Sequence, residues 1–485
     1  MSGSSRERII VIGGGLSGLR CSSLLINSHG FDKEQICLLE ASARIGGRVK
    51  IDTSFIEGFS LDLGAELIHG DETSLYRLAK DKGFEMEEMI SLAQGDGGPL
   101  PADSNEGFGL FYLGREKRML AMDSKDPDYI HLNKYLASLA DLWPSMKLEG
   151  GSSEASAARC RLSLFDGLAG AGVKETMMGV AAAGYANTVG ASLEDISLRG
   201  TCFLESAWDV DGDRTFVLKG SLGLVVDDLS TGLESCIQTD WPVAKVDYST
   251  PGRVTVTSRD GRVEHGNHVV CTVPLSVLKN GDVAFWPPLP AAKLKAFQHM
   301  GLCQVVKVVL KFDRPVFPPL FHGCICSESF IPEFWFRHLP NIPEGGYTCI
   351  AVGYAAGPPA DAISALSSEE ALRKALAQLD DMFRGREWLK CGGCTGNGDW
   401  EGQSPDDGVG GETPLPSASY VGGLVHDWAD EPFVRGGYCY PRLGFDENTH
   451  ADAAAAVDGK LFFAGEHANA PTGMTAHAAI DSGER

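Results

Sequence analysis

Residues 9–18 read Ile9-Ile10-Val11-Ile12-Gly13-Gly14-Gly15-Leu16-Ser17-Gly18: a short apolar run stops at glycines and gives way to Leu16, Leu19, Leu24 and Leu25 at roughly helical spacing. The pattern predicts strand, tight turn and helix. In Gly13-x-Gly15-x-x-Gly18 the first glycine permits the turn, the second lets a phosphate approach the backbone, and the third lets the helix pack closely on the strand. The helix start, Ser17 included, then presents free N–H groups and a partial positive charge to a pyrophosphate. A second apolar run, Ile36 to Leu39, ends in Glu40, an acid 22 residues beyond Gly18 and placed to accept from ribose hydroxyls. These features together predict a dinucleotide site. NAD and FAD both fit at this point.

The chain has 485 residues, beyond the usual size of one hydrophobic core, so two domains are expected. Its 42 basic and 65 acidic side chains give a formal charge of -23, which argues against nucleic acid or an anionic membrane as partner. Such a field draws in cationic ligands, although a charged surface for solubility has the same composition. Thirteen cysteines without paired spacing follow a polar start, Met1 to Arg8, with no apolar signal core, which predicts a reduced, cytoplasmic protein. The sole CxxC, Cys391 to Cys394, stands in a Gly-rich stretch without a second pair, so no metal is expected. No run reaches the ~18 apolar residues that would cross a bilayer.

Further along, Lys219 to Leu229 reads as a helix, and Val243 to Val246, Arg253 to Val256 and His268 to Val273 as short strands returning to the first body. Arg337 to Tyr354 and Leu366 to Phe383 carry strand and helix signals in a separate block. Ser91 to Gly109 and Cys391 to Ser419 read as surface loops or insertions.

Arg44-Ile-Gly46-Gly47-Arg48, Leu61-Asp-Leu-Gly64-Ala65-Glu66-Leu67-Ile68-His69-Gly70, Tyr185-Ala-Asn187 and Leu461-Phe-Phe-Ala-Gly465-Glu466-His467 resemble, in order, segments of the flavin-containing amine oxidase family. That family includes monoamine oxidases, polyamine oxidases and lysine-specific histone demethylases. The resemblance implies an α/β fold: a Rossmann-like FAD-binding domain of the flavin amine oxidase type with an interleaved α+β substrate domain. Residues 1–75, 220–285 and 425–485 are expected to form the discontinuous FAD-binding domain, and 76–219 and 286–424 the substrate-binding domain. It also implies FAD contacts from Arg44, Gly47 and Arg48 beside the pyrophosphate and from Gly64, Ala65, Glu66 and Leu67 near the isoalloxazine. Val243 would meet the adenine end through its backbone, and Trp428 and Gly465 would line the same path. Glu466 would bond the ribityl chain, and the helix begun by Thr475 and Ala476 would aim its N-terminus at the flavin pyrimidine. Ser42, Leu67 and Gly184 depart from arginine, tryptophan and glutamate in many relatives.

Lys307 lies in Gln304-Val-Val-Lys-Val-Val-Leu310, an apolar strand pattern in which an ammonium needs a reason. The resemblance supplies one, a lysine that holds a water at flavin N5; a solvated strand face is the alternative. Tyr438, after Gly436-Gly437, corresponds to one aromatic wall of the amine cage, with a core tyrosine as the alternative. Monoamine oxidases attach flavin through a cysteine where this chain has Gly437, and Cys439 comes one residue too late, so FAD is expected to be non-covalent. Thr475 replaces the second caging tyrosine of monoamine oxidases, as in histone demethylases and some polyamine oxidases. His69 matches a substrate-contacting histidine of many polyamine oxidases and could equally be a loop histidine.

The expected activity is therefore oxidation of an amine C–N bond by hydride transfer to flavin N5, giving an imine, then aldehyde plus amine, with dioxygen reduced to hydrogen peroxide. A small cationic polyamine of the spermine or spermidine type is the preferred substrate, because neither a leading chromatin-binding domain nor a long helical arm is present in the sequence. A histone-lysine demethylase-like enzyme, an L-amino-acid oxidase or flavin desaturase, and an FAD-binding scaffold without turnover are the alternatives. Protein partners stay open. The chain stops at Arg485, where relatives continue the last helix, so it reads as truncated there and peroxisomal or nuclear targeting stays open.

Overall fold

A computed structural model describes residues 7–89, 108–121, 125–147, 160–208, 214–317, 321–343, 346–384 and 415–485. The expected loop 91–109 lies outside these apart from its last two residues, which begin the strand Phe108–Leu113; of the stretch 391–419, Cys391 to Thr413 and Pro414 are likewise outside.

The opening motif folds as read, with strand Ile9–Ile12, turn, and helix Leu16–Asn27. Ile9–Ile12 and Ile36–Leu39 are buried at every position, as strands covered on both faces must be. They pair in parallel, Ile9 opposite Ile36 and Ile12 opposite Leu39. His268–Cys271 and then Leu461–Phe463 extend the sheet on one side and Ile237–Gln238 on the other, all parallel. Segments from the two chain ends thus share one five-stranded sheet.

The ends also meet through helices. Helix Ala476–Glu484 packs against Leu16–Asn27 so closely that a Cβ on Gly483 would stand 2.5 Å from the Ser17 carbonyl oxygen. Arg20 Nε donates to Glu484 at 2.8 Å at the rim of that contact.

Val254–Ser258 behaves differently: burial alternates along it, the mark of a strand with one covered face. It joins Val263–Gly266, Val243–Asp247 and Ala284–Trp286 in a second sheet beside the first. A mixed seven-stranded sheet forms the other body, in the order Tyr420–Asp427, Val305–Phe312, Tyr347–Ala356, Glu333–Pro340, Phe321–Ser327, Phe108–Leu113, Arg118–Ala121. Helices between Pro127 and Ala207 cover one face of it, and helix Ser368–Phe383 packs on the other, where Ala371, Ala375 and Leu379 recur at helical spacing. The fold is α/β, with a parallel nucleotide-type sheet beside a largely antiparallel one.

Within the helical layer, Ala182–Ala186 is a π-helical turn, the widened geometry that often marks a functional site. It contains Tyr185.

Candidate active site

One cavity of about 1100 Å³ runs between the two bodies, at the upper end of ligand pockets, which span about 300–1,000 Å³. Its walls include Gly13, Gly15, Ser17, Glu40, Arg44, Gly47, Arg48, Gly64, Ala65, Glu66, Leu67, His69, Val243, Lys307, Trp428, Tyr438, Gly465, Glu466, Thr475 and Ala476, so the structure brings together the predicted positions with one exception. The exception is Gly18. A Cβ there would lie 2.0 Å from the Gly13 carbonyl oxygen, so this glycine serves helix-on-strand packing and does not touch the cavity.

Gly15 is the opposite case. Its backbone, φ -81° and ψ -178°, suits any residue, and a Cβ would meet nothing closer than the Gly47 Cα at 3.9 Å. Protein packing does not demand a glycine here; a ligand pressed against the turn does. The helix that follows has no side-chain cap and no acid in its first turn, so its N–H groups point to that space without a competing protein anion. Gly13, with φ +110° and a Cβ position 2.6 Å from Thr272 Oγ1, makes the turn itself. This cradle fits a pyrophosphate.

Several predicted contacts are differently used. Both Glu40 oxygens accept from the chain, one from Gly14 N at 2.7 Å and the other from Ser42 N at 2.8 Å, so Glu40 braces the glycine turn as well as facing the cavity. Arg44 donates to the carbonyls of Gly47 (2.8 Å) and Val49 (3.1 Å), clamping its own loop, and stands 3.8 Å from Glu431. Arg48 donates to the Gly437 carbonyl at 2.7 Å and to Glu466 at 2.8 Å, tying the distal signature to the proximal one. Glu466 is buried, and the Arg48 guanidinium works against the cost of that burial, with a net lowering of its carboxyl pKa. The Glu66 carboxylate, on the cavity wall, pairs with Lys307. Spacing alone cannot show the pairings of Arg48 and Glu66, whose partners are hundreds of residues away.

Lys307 is 2% exposed, which removes the solvated-face alternative. Its ammonium donates to the Asp62 carbonyl at 2.9 Å and to Glu66 at 2.7 Å, and sits 5.3 Å from the Trp335 ring centre. Arg337 stands 3.7 Å from the other Glu66 oxygen. Beside them burial, and then the Glu66 charge, push the Asp62 carboxyl up to about 8.

The antiparallel register sets the neighbours of Lys307: Tyr354 lies opposite it, and Glu333 opposite Tyr354, one row across three strands. Tyr354 donates to or accepts from Tyr438 at 2.7 Å, Tyr438 donates to the Thr188 carbonyl at 2.6 Å, and Trp335 stacks on Tyr354 with ring centres 5.2 Å apart. Burial raises the pKa of both tyrosines, which therefore stay protonated at neutral pH. The chamber has a second aromatic wall after all, supplied by Tyr354 and Trp335, while Thr475 uses its hydroxyl to cap the last helix through Ala478 N at 3.1 Å. His69 lies in strand Leu67–His69, and burial pulls its imidazole down to about 4, so it is neutral at pH 7. Tyr354, Trp335, Glu333 and Glu205 were missed by sequence reasoning. The alternation Glu333-Phe-Trp335-Phe carries a signal, with Glu333 and Trp335 on one face, but nothing in it says that face meets a cavity.

Comparison with known proteins now bears on these walls. The family model described as flavin containing amine oxidoreductase matches residues 16–485. The lysine-specific histone demethylase 2 of Homo sapiens is 24% identical over 488 residues, 99% of this chain and 53% of that protein, so the chain spans about half of that relative's length. Polyamine oxidase 2 of Arabidopsis thaliana is 26% identical over 501 residues, covering 98% of this chain and 86% of that protein. Among solved structures, putrescine oxidase bound to putrescine superposes with a TM-score of 0.75 at 18% identity, over 99% of this chain and 97% of that one. Cyclohexylamine oxidase from Brevibacterium oxydans gives 0.75 at 19% identity, with the same two coverages.

Proposed function

Because the chain belongs to the flavin-containing amine oxidoreductase family, we propose that it oxidises a polyamine at a carbon next to nitrogen, giving an imine and hydrogen peroxide. One observation carries the reading: the cavity that begins at the Gly15 cradle ends in a chamber walled by Lys307, Tyr438 and Tyr354. Bound FAD supplies the hydride acceptor and the route of electrons to dioxygen. The chain's residues do the rest. Gly15 and the helix start would hold the pyrophosphate, and Lys307, buried in the chamber wall, would move a proton during turnover. The aromatic walls orient the neutral amine and exclude water, so the imine is hydrolysed to aldehyde and amine only as it leaves.

Polyamine oxidases among the relatives support the substrate class. An amino-acid substrate would need a cation for its carboxylate. Arg214 on the cavity wall is held by Glu88 and Asp71, and Arg337 by Glu66 and Glu87, so neither is spare. The test is anaerobic mixing of the holoprotein with spermine, spermidine, their acetylated forms and a methyl-lysine peptide, read at the flavin absorbance. Bleaching by the polyamines is the expected result. Bleaching by the peptide alone would favour demethylation, and bound flavin that no amine bleaches would sink both readings.

Non-covalent attachment has a steric basis. A Cβ on Gly437 would fall 2.4 Å from Val305 Cγ2 and 2.8 Å from Cys303 Sγ, and Cys439 is buried with its thiol on Glu466 at 3.0 Å. Gly437→Cys is therefore expected to cost about 1–3 kcal/mol from overpacking without creating a flavin bond. Acid precipitation should leave all flavin in the supernatant; flavin fluorescence on the denatured polypeptide would contradict this.

A further inference from the structure

The row of residues across the sheet continues past Lys307 on its other side. In the register of Val305–Phe312 with the edge strand Tyr420–Asp427, His426 stands opposite Lys307, so both side chains leave the same face. Trp428 packs edge-on against the imidazole, with ring centres 5.0 Å apart. The Nε2 atom of His426 is buried without a hydrogen-bond partner among the described residues, and it lies 3.7 Å from Glu431 Oε1. A buried polar atom left in this state needs an explanation. Glu431 in turn pairs with Lys50. Side-chain exposure climbs along this line, from 2% at Lys307 through 12% at His426 and 18% at Glu431 to 29% at Lys50. Titratable groups thus lead stepwise from the buried lysine towards solvent.

A second line leaves Lys307 through Glu66 and Arg337 to Glu87. A guanidinium does not give up its proton, so that line fixes charge and carries no proton onward. An imidazole can pass one on, because it takes a proton at one ring nitrogen and releases one from the other. Burial first, then the charges of Lys50, Lys307 and Arg44, pull the His426 imidazole down to about 4 against the opposing effect of Glu431. It is therefore neutral at pH 7 and able to accept. When Lys307 gives up its proton, one of those opposing charges disappears, and the imidazole becomes a better base at that moment.

We infer that His426 relays protons from the Glu431–Lys50 pair to Lys307, so that the lysine is reloaded along the sheet and not across the Tyr438–Tyr354 wall. The inference rests on the amine-oxidase reading above and adds the proton route which that reading needs. Oxidation of an ammonium substrate releases one hydride and one proton, and dioxygen with that hydride takes up one proton to become hydrogen peroxide. An N–H bond of Lys307 breaks as the second O–H bond of the peroxide forms. A proton from His426 then restores the ammonium, and one from the Glu431 side restores the imidazole.

His426→Gln keeps a polar side chain and removes the titrating ring. Holoprotein reduced by light without oxygen and then mixed with dioxygen should reoxidise about a hundredfold more slowly in this variant, the lower end of what a positioned proton-transfer group contributes. Free imidazole in the buffer should restore much of the rate, which a loss of packing would not allow. A readout without turnover comes from the full chain labelled at its histidine nitrogens and followed by NMR. The resonance missing from His426→Gln should titrate at higher pH in Lys307→Met, where one opposing charge is gone. In Glu431→Gln it should titrate at lower pH, which covers the case of a lysine variant that does not fold. Reoxidation at the native rate, slowness that imidazole leaves untouched, or a titration indifferent to both neighbours overturns the inference. Failure of every amine to bleach the flavin removes the amine-oxidase reading and leaves these measurements standing, since light replaces the amine as reductant.

Discussion

Lys307→Met is expected to slow amine-driven flavin turnover by about two to four orders of magnitude, the range for losing a positioned proton-transfer group. The same change strands the Glu66 carboxylate, 7% exposed, with Arg337 at 3.7 Å as its remaining cation. Breaking a buried pair this way costs about 3–5 kcal/mol, so a slow variant could simply be an unstable one. The double variant Lys307→Met with Glu66→Leu separates the two effects. Replacing both partners of a buried ion pair by apolar groups is often neutral, so urea unfolding should return most of the lost stability. Stopped-flow traces should show no matching return of turnover. A double variant that is stable and oxidises amines at the rate of the native chain would remove Lys307 from the chemistry and leave it a structural residue.

That experiment turns on a pairing that could not be read from the sequence, whereas the lysine itself could. A charged residue among Val305, Val306, Val308 and Val309 is conspicuous because desolvation makes it costly. Its partner Glu66 sits in a different segment, 241 positions away, and looks like any other polar residue after a glycine turn. Tyr354 and Glu333 were hidden for a related reason: strand existence follows from composition, but register across three antiparallel strands follows from loops and packing. The parallel sheet was far more legible. Strands buried on both faces are unbroken apolar runs, and Ile9–Ile12 and Ile36–Leu39 stand out that way; the edge strand Leu461–Phe463 is as apolar a run, although Phe462 is exposed. Arg44 and Arg48 show how one residue type on the cavity wall can serve two purposes. Guanidinium groups suited to phosphate are equally suited to carbonyls and carboxylates, and here they fasten the turn and Glu466.

The glycine motif yields the sharpest test of what is fold and what is site. Gly15→Val places its side chain in the open cavity, at a position whose φ of -81° tolerates it and where the nearest heavy atom to its Cβ is 3.9 Å away. The expected cost in stability is about 1 kcal/mol, from a poorer helix N-cap. Flavin binding should suffer far more. The new methyl groups occupy the path of the pyrophosphate and lift it from the helix N–H groups. Overpacking plus a lost charge-assisted hydrogen bond comes to about 3–6 kcal/mol, or two to four orders of magnitude in Kd. The protein should purify folded and colourless. Gly18→Ala reverses the pattern, because its Cβ would lie 2.0 Å from the Gly13 carbonyl oxygen, where only backbone movement can relieve the clash. It should lower the unfolding midpoint before it lowers flavin affinity, since the strand and helix it separates support the whole parallel sheet. Flavin retention after gel filtration and urea unfolding of the apoprotein, run on both variants, place them on opposite sides. A Gly15→Val protein that keeps stoichiometric flavin would mean that the turn is a packing device and that the cofactor is held elsewhere in the cavity.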